Sequence, residues 1–393
     1  MKIAIFSGSI PSTTFIEHLI EGVAKTHTVW LFGVKHSPKK YKASNIKIVA
    51  TPKAKLLNLW VTFFRTIWLL LKSPKDIFKL LIEIKQFPSL YTKWNWYSKW
   101  LPIILYKPDI LHIQWAKDVE YYMFLKKEFD IKIILSLRGA HINYSPVVNP
   151  KLAAIYRQEF PHIDGFHAVS KAIGLEAQMY GAPPKRIQVI HSPVPKCFFE
   201  EYLILNKNES KIIQIVSVGR FHWIKGFKYM LDAIFLLKQK GKQVNYTIIG
   251  PQKFSEELLF QIHQLGLEKD IKLMASLPQD KLIITLKTFD MLVLPSLKEG
   301  IANVVLEAMA LGLPVLSSDC GGMPEVVIPK NTGWLVPVRD PEALANAIVE
   351  IKDTSVAELQ NITKNAHHFV QEHFNAEDSI QQFLELYESI VND

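Results

Sequence analysis

Short apolar runs recur along the chain, separated by longer stretches that carry the polar residues and the helical patterns. Runs at 2–6, 29–34, 46–49, 131–137, 163–169 and 187–190 read as strands, as does KPDILHIQW from Lys107, with His112 near its end. A second series, at 212–218, 244–249, 271–274 and 290–294, has shorter connections. Runs this continuous suit parallel strands covered on both faces. Their alternation with helical segments argues for α/β units, each a parallel sheet with helices on both sides. Late in the chain, 341–352, 356–370 and 376–391 read as amphipathic helices.

Turn residues divide this series in two. Pro193, Pro195 and the polar NKNES from Asn206 mark a linker, so one domain is expected over 1–205 and a second over 206–375, with 376–393 as a closing helix. A chain of 393 residues with 49% hydrophobic composition is too long for one ordinary core, which agrees with two domains. Residues 8–14 read as a turn rich in small and hydroxyl side chains, leading into a helix that reaches about Lys25. Ser170 is placed to cap a helix between two of the strands.

Residues 53–107 break the pattern. They hold Trp60, Trp68, Trp94, Trp96 and Trp100 among long aliphatic runs, with 10 basic residues against Asp76 and Glu83 alone. The apolar stretch 56–71 is too short to cross a bilayer and has Arg65 in its middle, so no transmembrane helix is expected. Two readings stay open: core helices with Lys and Arg snorkelling outward, or an amphipathic surface for an anionic membrane.

Charge sharpens the asymmetry. Residues 1–200 hold 28 Lys and Arg against 13 Asp and Glu, a balance of +15; residues 201–393 hold 18 against 24, a balance of −6. A basic first half suits an anionic partner, and it lacks a recognisable nucleic-acid motif, so no nucleic acid is expected. Cys197 and Cys320 are too few for a disulfide framework and have no zinc spacing. The opening MKIAIFSGSIPSTTF lacks the apolar core of a signal peptide, so a cytoplasmic protein is expected, with the membrane's inner face as the surface it would touch.

The chemistry concentrates in PSLKEGIANVVLEAMALGLP from Pro295. Asn303 is a good N-cap for a helix beginning at Val304, and Gly312 followed by Pro314 supplies its stop. Glu299 then lies in the loop and Glu307 one turn into the helix, both near the carboxyl end of a strand, where open α/β sheets bind ligands. Backbone N–H groups of Gly300, Ile301, Ala302, Asn303 and Val304, with the helix dipole, favour an anion. Carboxylates beside an anion-attracting helix start suit a nucleotide sugar. Taken alone, the pair also fits a solvated loop charge and an exposed helix residue.

The segment EGIANVVLEAMALGLPV closely resembles the E-x7-E segment of family-4 retaining glycosyltransferases of the GT-B fold. VSVGRFHWIKG resembles a second motif, with Arg220 and Lys225 where the family puts a basic pair on the donor diphosphate; GGMPEVV from Gly321, followed by NTGWLVPVRDPEALANAI, is a third. These cover roughly 212–350; the first half resembles the family only loosely. The resemblance implies two Rossmann-like doubly wound domains facing each other across a cleft, the first on the acceptor side and the second holding the donor, with the C-terminal helix crossing back to the first. It implies that Gly8 lets backbone approach the donor phosphates, that Gly219 enters the cleft with Arg220, that Gly250 and Ser276 lie near the nucleobase, and that Glu299 and Glu307 take sugar and ribose hydroxyls. Many relatives place a sugar-contacting histidine directly after a first-domain strand; here Arg138 stands there, with His141 three residues later, and either could contact the sugar or hold acceptor phosphate.

No D-x-D pair is present, so no divalent metal or other cofactor is expected; Arg220, Lys225 and the helix start would counter the charge left on the nucleotide. The function implied is transfer, with retention, from a nucleotide-diphosphate sugar to a glycan or lipid-linked acceptor in surface polysaccharide or lipopolysaccharide synthesis. A sugar-nucleotide epimerase on the same fold and a non-catalytic membrane adaptor are the alternatives.

Overall fold

The structure is a computed structural model that describes residues 1–37, 41–205, 210–251 and 254–392; Asn206 to Glu209 of the expected linker lie outside them. Two compact units result. The first comprises Met1–Val169, Gly174–Ile190 and Glu377–Asp393, the second Ser170–Ile173 and His191–Ala376. The division at Ile190 precedes the boundary near 205 because Val194 and Phe198 are buried in the second unit's core and the Val194 N–H donates to the Phe374 carbonyl at 2.9 Å.

In the first unit β1 (Lys2–Ile10), β2 (Thr28–Lys35), β3 (Ile46–Thr51), β4 (Ile110–Ile113), β5 (Lys132–Leu137), β6 (Gly165–Ala168) and β7 (Ile187–Val189) form one parallel sheet in the order β3-β2-β1-β4-β5-β6-β7. The second unit's sheet is also parallel: β8 (Ile212–Val218), β9 (Gln243–Gly250), β10 (Ile271–Ala275), β11 (Met291–Leu294), β12 (Val315–Ser318) and β13 (Trp334–Val336), ordered β10-β9-β8-β11-β12-β13. Strand order reverses between β1 and β4 and again between β8 and β11. Such a reversal opens a crevice at the strands' carboxyl ends.

The closing helix, Ala376–Asn392, belongs to the first unit, where Phe383, Leu386, Tyr387 and Ile390 join the core beneath β1, β4 and β5. Gly165 permits this, because a Cβ there would collide with the Ile390 side chain. Gly8 departs from expectation. It lies within β1, at φ +84° where the register against β2 shifts, so it is a bulge residue and the turn is confined to the residues before Thr14.

The aromatic segment is part core and part exposed. Helix Leu90–Tyr106 buries Trp96 and Trp100 as core. Helix Lys55–Lys72 is turned inside out: only Thr62 and Leu69 are buried, while Trp60, Phe63, Phe64, Trp68 and Leu71 are exposed. Arg65 does not snorkel outward; its Nη2 donates to the Ala50 carbonyl at 3.1 Å, and Thr66 Oγ1 meets Tyr97 Oη at 2.9 Å.

His112, in mid-sheet, is fully buried. Its Nδ1 lies 2.7 Å from Tyr387 Oη and its Nε2 2.8 Å from Ser136 Oγ, which lies 2.8 Å from His167 Nδ1; His167 Nε2 lies 2.9 Å from the Ile190 carbonyl. That carbonyl only accepts, so with both rings neutral the protons fall in one order: Tyr387 donates to His112, His112 to Ser136, Ser136 to His167, and His167 to Ile190. Burial keeps His112 neutral, bringing its pKa down to about 3. Tyr387→Phe leaves His112 Nδ1 without its donor and is expected to destabilise the first unit by about 1–3 kcal/mol; an unchanged urea midpoint for that unit would show that the chain contributes nothing.

Candidate active site

At the reversal between β8 and β11, two loops leave adjacent strands and meet. From β8 come Gly219 and Arg220, then a single 3-10 turn, Trp223–Lys225, closed by Gly226 at φ +65°. From β11 comes the loop to Glu299. The Leu297 N–H donates to the Ile224 carbonyl at 2.7 Å, and Gly226 packs so closely that any Cβ would strike the Pro295 carbonyl. The loops are thereby locked together. Lys225 Nζ donates to Glu299 Oε1 at 2.7 Å, and Ser296 Oγ donates to the same oxygen at 2.7 Å. Both charged side chains are largely buried, 17% and 15% exposed, whereas Arg220 is exposed.

A second backbone approach supports Glu299 from behind. Cβ atoms at Gly321 or Gly322 would collide with the carbonyls of Glu299 and Gly300, which accounts for the paired glycines of GGMPEVV. Glu325 of the same segment accepts from the N–H groups of Lys171 and Ala172 at 3.0 and 2.9 Å. Ser170 Oγ accepts from the Ile173 N–H at 3.2 Å, the capping expected of it. The roles of Ser296 and of the two glycines are not legible as chemistry in the chain; the GG pair was visible only as part of a motif.

Asn303 is not the N-cap. Helix Asn303–Leu311 begins at Asn303 itself, with Ala302 as an extended N-cap and no side-chain cap, because the buried Ala302 carbonyl already accepts from Val305 at 3.0 Å. The exposed Asn303 side chain and Val304 sit in the first turn, whose N–H groups no capping side chain covers. Gly312 closes the helix at φ +79°, as expected. Glu307 stands one turn in, and burial without a neighbouring cation pushes its carboxyl up to about 7. Gly250 ends β9 against the Gly219 carbonyl and Phe221, where a Cβ would clash, and exposed Ser276 follows β10.

The remaining candidates lie in the first unit. Gly8 is exposed beside a cavity of about 190 Å³ that Lys99, Trp115 and Asp118 also line. Arg138 follows β5 directly: its Nη2 donates to Gln114 Oε1 at 3.2 Å and its guanidinium lies 4.1 Å over the Phe15 ring. His141 is on the next short helix, Ala140–Asn143, with its ring 5.5 Å from that of Trp115. Sequence reasoning passed over Gln114, which nothing but its place after β4 singles out.

Residues 202–369 match the family model described as glycosyl transferases group 1. The match lies within the second unit. The chain is 28% identical over 265 residues to a putative colanic acid biosynthesis glycosyltransferase, WcaL, of Escherichia coli, covering 66% of this chain and 64% of the relative. It is 32% identical over 217 residues to the amylovoran biosynthesis glycosyltransferase AmsK of Erwinia amylovora, covering 54% and 53%. The matched stretch thus spans between half and two thirds of these curated relatives. The Anabaena protein HepE, crystallised with UDP-glucose, superposes at a TM-score of 0.69 with 17% identity over 99% of this chain and all of HepE. That likeness establishes the fold, GT-B, with two Rossmann-like α/β units.

Within the second unit, Glu307 gives a measurable signature. Its folded pKa lies above the ordinary carboxyl value of 4.5, so the folded protein holds a proton that the unfolded chain releases, and stability falls as pH rises from about 4.5 to 7. Glu307→Gln is expected to flatten that part of the profile; parallel stability curves for variant and wild type would refute the raised pKa.

Proposed function

We propose that the protein is a glycosyltransferase that moves a sugar from a nucleotide-diphosphate sugar to a glycan or lipid-linked acceptor in surface polysaccharide or lipopolysaccharide synthesis. The observation that carries this reading is the Lys225–Glu299 pair, which joins the β8 and β11 loops beside a helix start without a side-chain cap. Lys225 Nζ has three N–H donors and spends one on Glu299; the others are available to diphosphate oxygens, with the Arg220 guanidinium as a fork beside them. The second carboxylate oxygen of Glu299 takes sugar hydroxyls, and Glu307 takes the ribose. Gly219, Gly250 and Ser276 give backbone room for the rest of the nucleotide. The names of the relatives, colanic acid and amylovoran biosynthesis, favour an extracellular polysaccharide as product.

As the glycosidic bond breaks, negative charge builds on the departing diphosphate. Arg220, Lys225 and the N–H groups at 303 and 304 are preorganised to meet it, so the reaction runs without a divalent ion in this reading. Attack from the face the nucleotide leaves retains configuration and lets the leaving phosphate take the acceptor's proton. Arg220→Ala and Lys225→Ala are each expected to lower turnover about 10²-fold, the scale of losing one such donor, with wild-type turnover unchanged in EDTA. Radiolabelled transfer at the full rate by either variant refutes the roles. Donor that changes stereochemistry without acceptor would identify the epimerase instead.

We also propose that the enzyme works at an anionic membrane. The support is helix Lys55–Lys72, which turns its apolar face to solvent and carries Lys53, Lys55, Lys72 and Lys75 at or beyond its ends. Among the described residues no helix is long and apolar enough to cross a membrane. A helix lying in the interface buries such a face and sets lysines against headgroups, each contributing about 1 kcal/mol. Wild type is expected to float with phosphatidylglycerol vesicles at low salt, and a Trp60→Ser/Phe64→Ser/Trp68→Ser variant to stay in the pellet fraction. Equal flotation of the two proteins would remove this face from the interaction.

A further inference from the structure

The bulge in β1 borders a cavity that the three sequence motifs, which cover roughly 212–350, do not touch. Phe6 pairs with Phe32 and Gly8 with Gly33, so Ser7 has no counterpart in β2. The Ser7 carbonyl accepts instead from Trp115 Nε1 at 3.1 Å, which holds that ring beside the gap. Gly8 faces open space: no atom lies within 4 Å of where its Cβ would stand. The cavity of about 190 Å³ runs from here along the carboxyl ends of β1, β2 and β3, and helix Leu90–Tyr106 closes it with Lys99. That helix comes from the aromatic stretch 53–107, where the chain departs from its strand-helix alternation.

Three polar groups line this space and have nothing in the protein to bind. Among the described residues Lys99 Nζ, the Asp118 carboxylate and the Tyr122 hydroxyl make no hydrogen bond or ion pair. The Lys99 ammonium has only the Trp96 ring, 4.5 Å away, and burial lowers its pKa while the field of Asp118 opposes the shift. Tyr122 is 1% exposed, with its ring 5.1 Å from that of Phe6 and 5.7 Å from that of Trp96. Thr51, also buried, lines the same space. A desolvated polar group left unpaired is unfavourable, and several around one cavity call for a ligand that pairs them.

Charge selects that ligand. Asp118 repels an anion and Lys99 a cation, whereas a neutral ring bearing several hydroxyls uses both: it donates to the carboxylate and accepts from the ammonium and the phenol. The Trp115 ring offers its C–H faces an apolar wall. Pockets for drug-sized ligands run to about 300–1,000 Å³, so this smaller one suits a single ring.

We propose that this cavity is a subsite for one neutral hexose ring of the acceptor glycan, recognised by Lys99, Asp118 and Tyr122. The proposal rests on the glycosyltransferase reading, which supplies a glycan as acceptor.

Ligand-observed NMR titration of the full chain with D-glucose, D-galactose and D-mannose tests it. At least one of them is expected to saturate the wild type. Tyr122→Phe removes only a hydroxyl and Lys99→Met only a charge; each is expected to weaken that hexose at least fivefold and to melt at or above the wild-type temperature, since neither group has a protein partner to lose. If one variant does not fold, the other carries the test. Undiminished hexose binding in these variants, or no hexose binding by the wild type, overturns the subsite. So does weaker binding accompanied by a lowered melting temperature in both, which would make the two groups structural. A hexose displaced by Glu299→Gln and kept by Lys99→Met and Tyr122→Phe sits in the donor site, and overturns it as well. UDP titrated in parallel separates the two readings: UDP bound equally by wild type and both first-unit variants leaves the donor site standing whatever the hexose does, and a wild type that binds no UDP overturns the glycosyltransferase reading itself.

Discussion

The contact that organises the second unit's β8 and β11 loops is the ion pair of Lys225 with Glu299, and the backbone around it holds the two loops together. Neither loop has regular structure to hold it, apart from one 3-10 turn. What holds them is proximity: Gly226 against Pro295, Leu297 bonded to Ile224, and Gly321 and Gly322 against Glu299 and Gly300. At each of the three glycines a Cβ is excluded. Two largely buried charges lie 2.7 Å apart as a result, and removing either partner would leave the other desolvated and unopposed.

The two glutamates of the segment are thereby made different. Glu299 has a cation and a hydroxyl on one oxygen. Glu307, eight residues on, is desolvated without a neighbouring cation, which pushes its carboxyl up to about 7. The first has an acceptor oxygen left over; the second, where protonated, can donate as well as accept. A ligand with hydroxyls at two separated places can use both, and the N–H groups of the intervening helix turn offer it a place for negative charge.

The first unit inverts two ordinary rules. Apolar faces normally turn inward, yet helix Lys55–Lys72 directs Arg65 and Thr66 to the protein and its Trp and Phe side chains outward. Buried polar atoms are normally paired, yet the pairing that is complete from Tyr387 through His112, Ser136 and His167 stops at Arg138. Both departures cost stability in an isolated domain.

By itself the sequence determined the alternating strands and helices and the helix stop at Gly312, because these depend on local periodicity and turn chemistry, and it placed Arg220, Lys225, Glu299 and Glu307 in loops and a helix start after two strands. Three features were decided only by tertiary structure. Gly8 belongs to β1 because β2 continues to pair beyond it; Asn303 loses the cap to Ala302 because the Ala302 carbonyl is the one that accepts the first helical bonds. The orientation of helix Lys55–Lys72 was the third. A periodic pattern defines two faces but not which one is buried, and that choice fell to Ala50 and Tyr97, the distant groups that pair with Arg65 and Thr66.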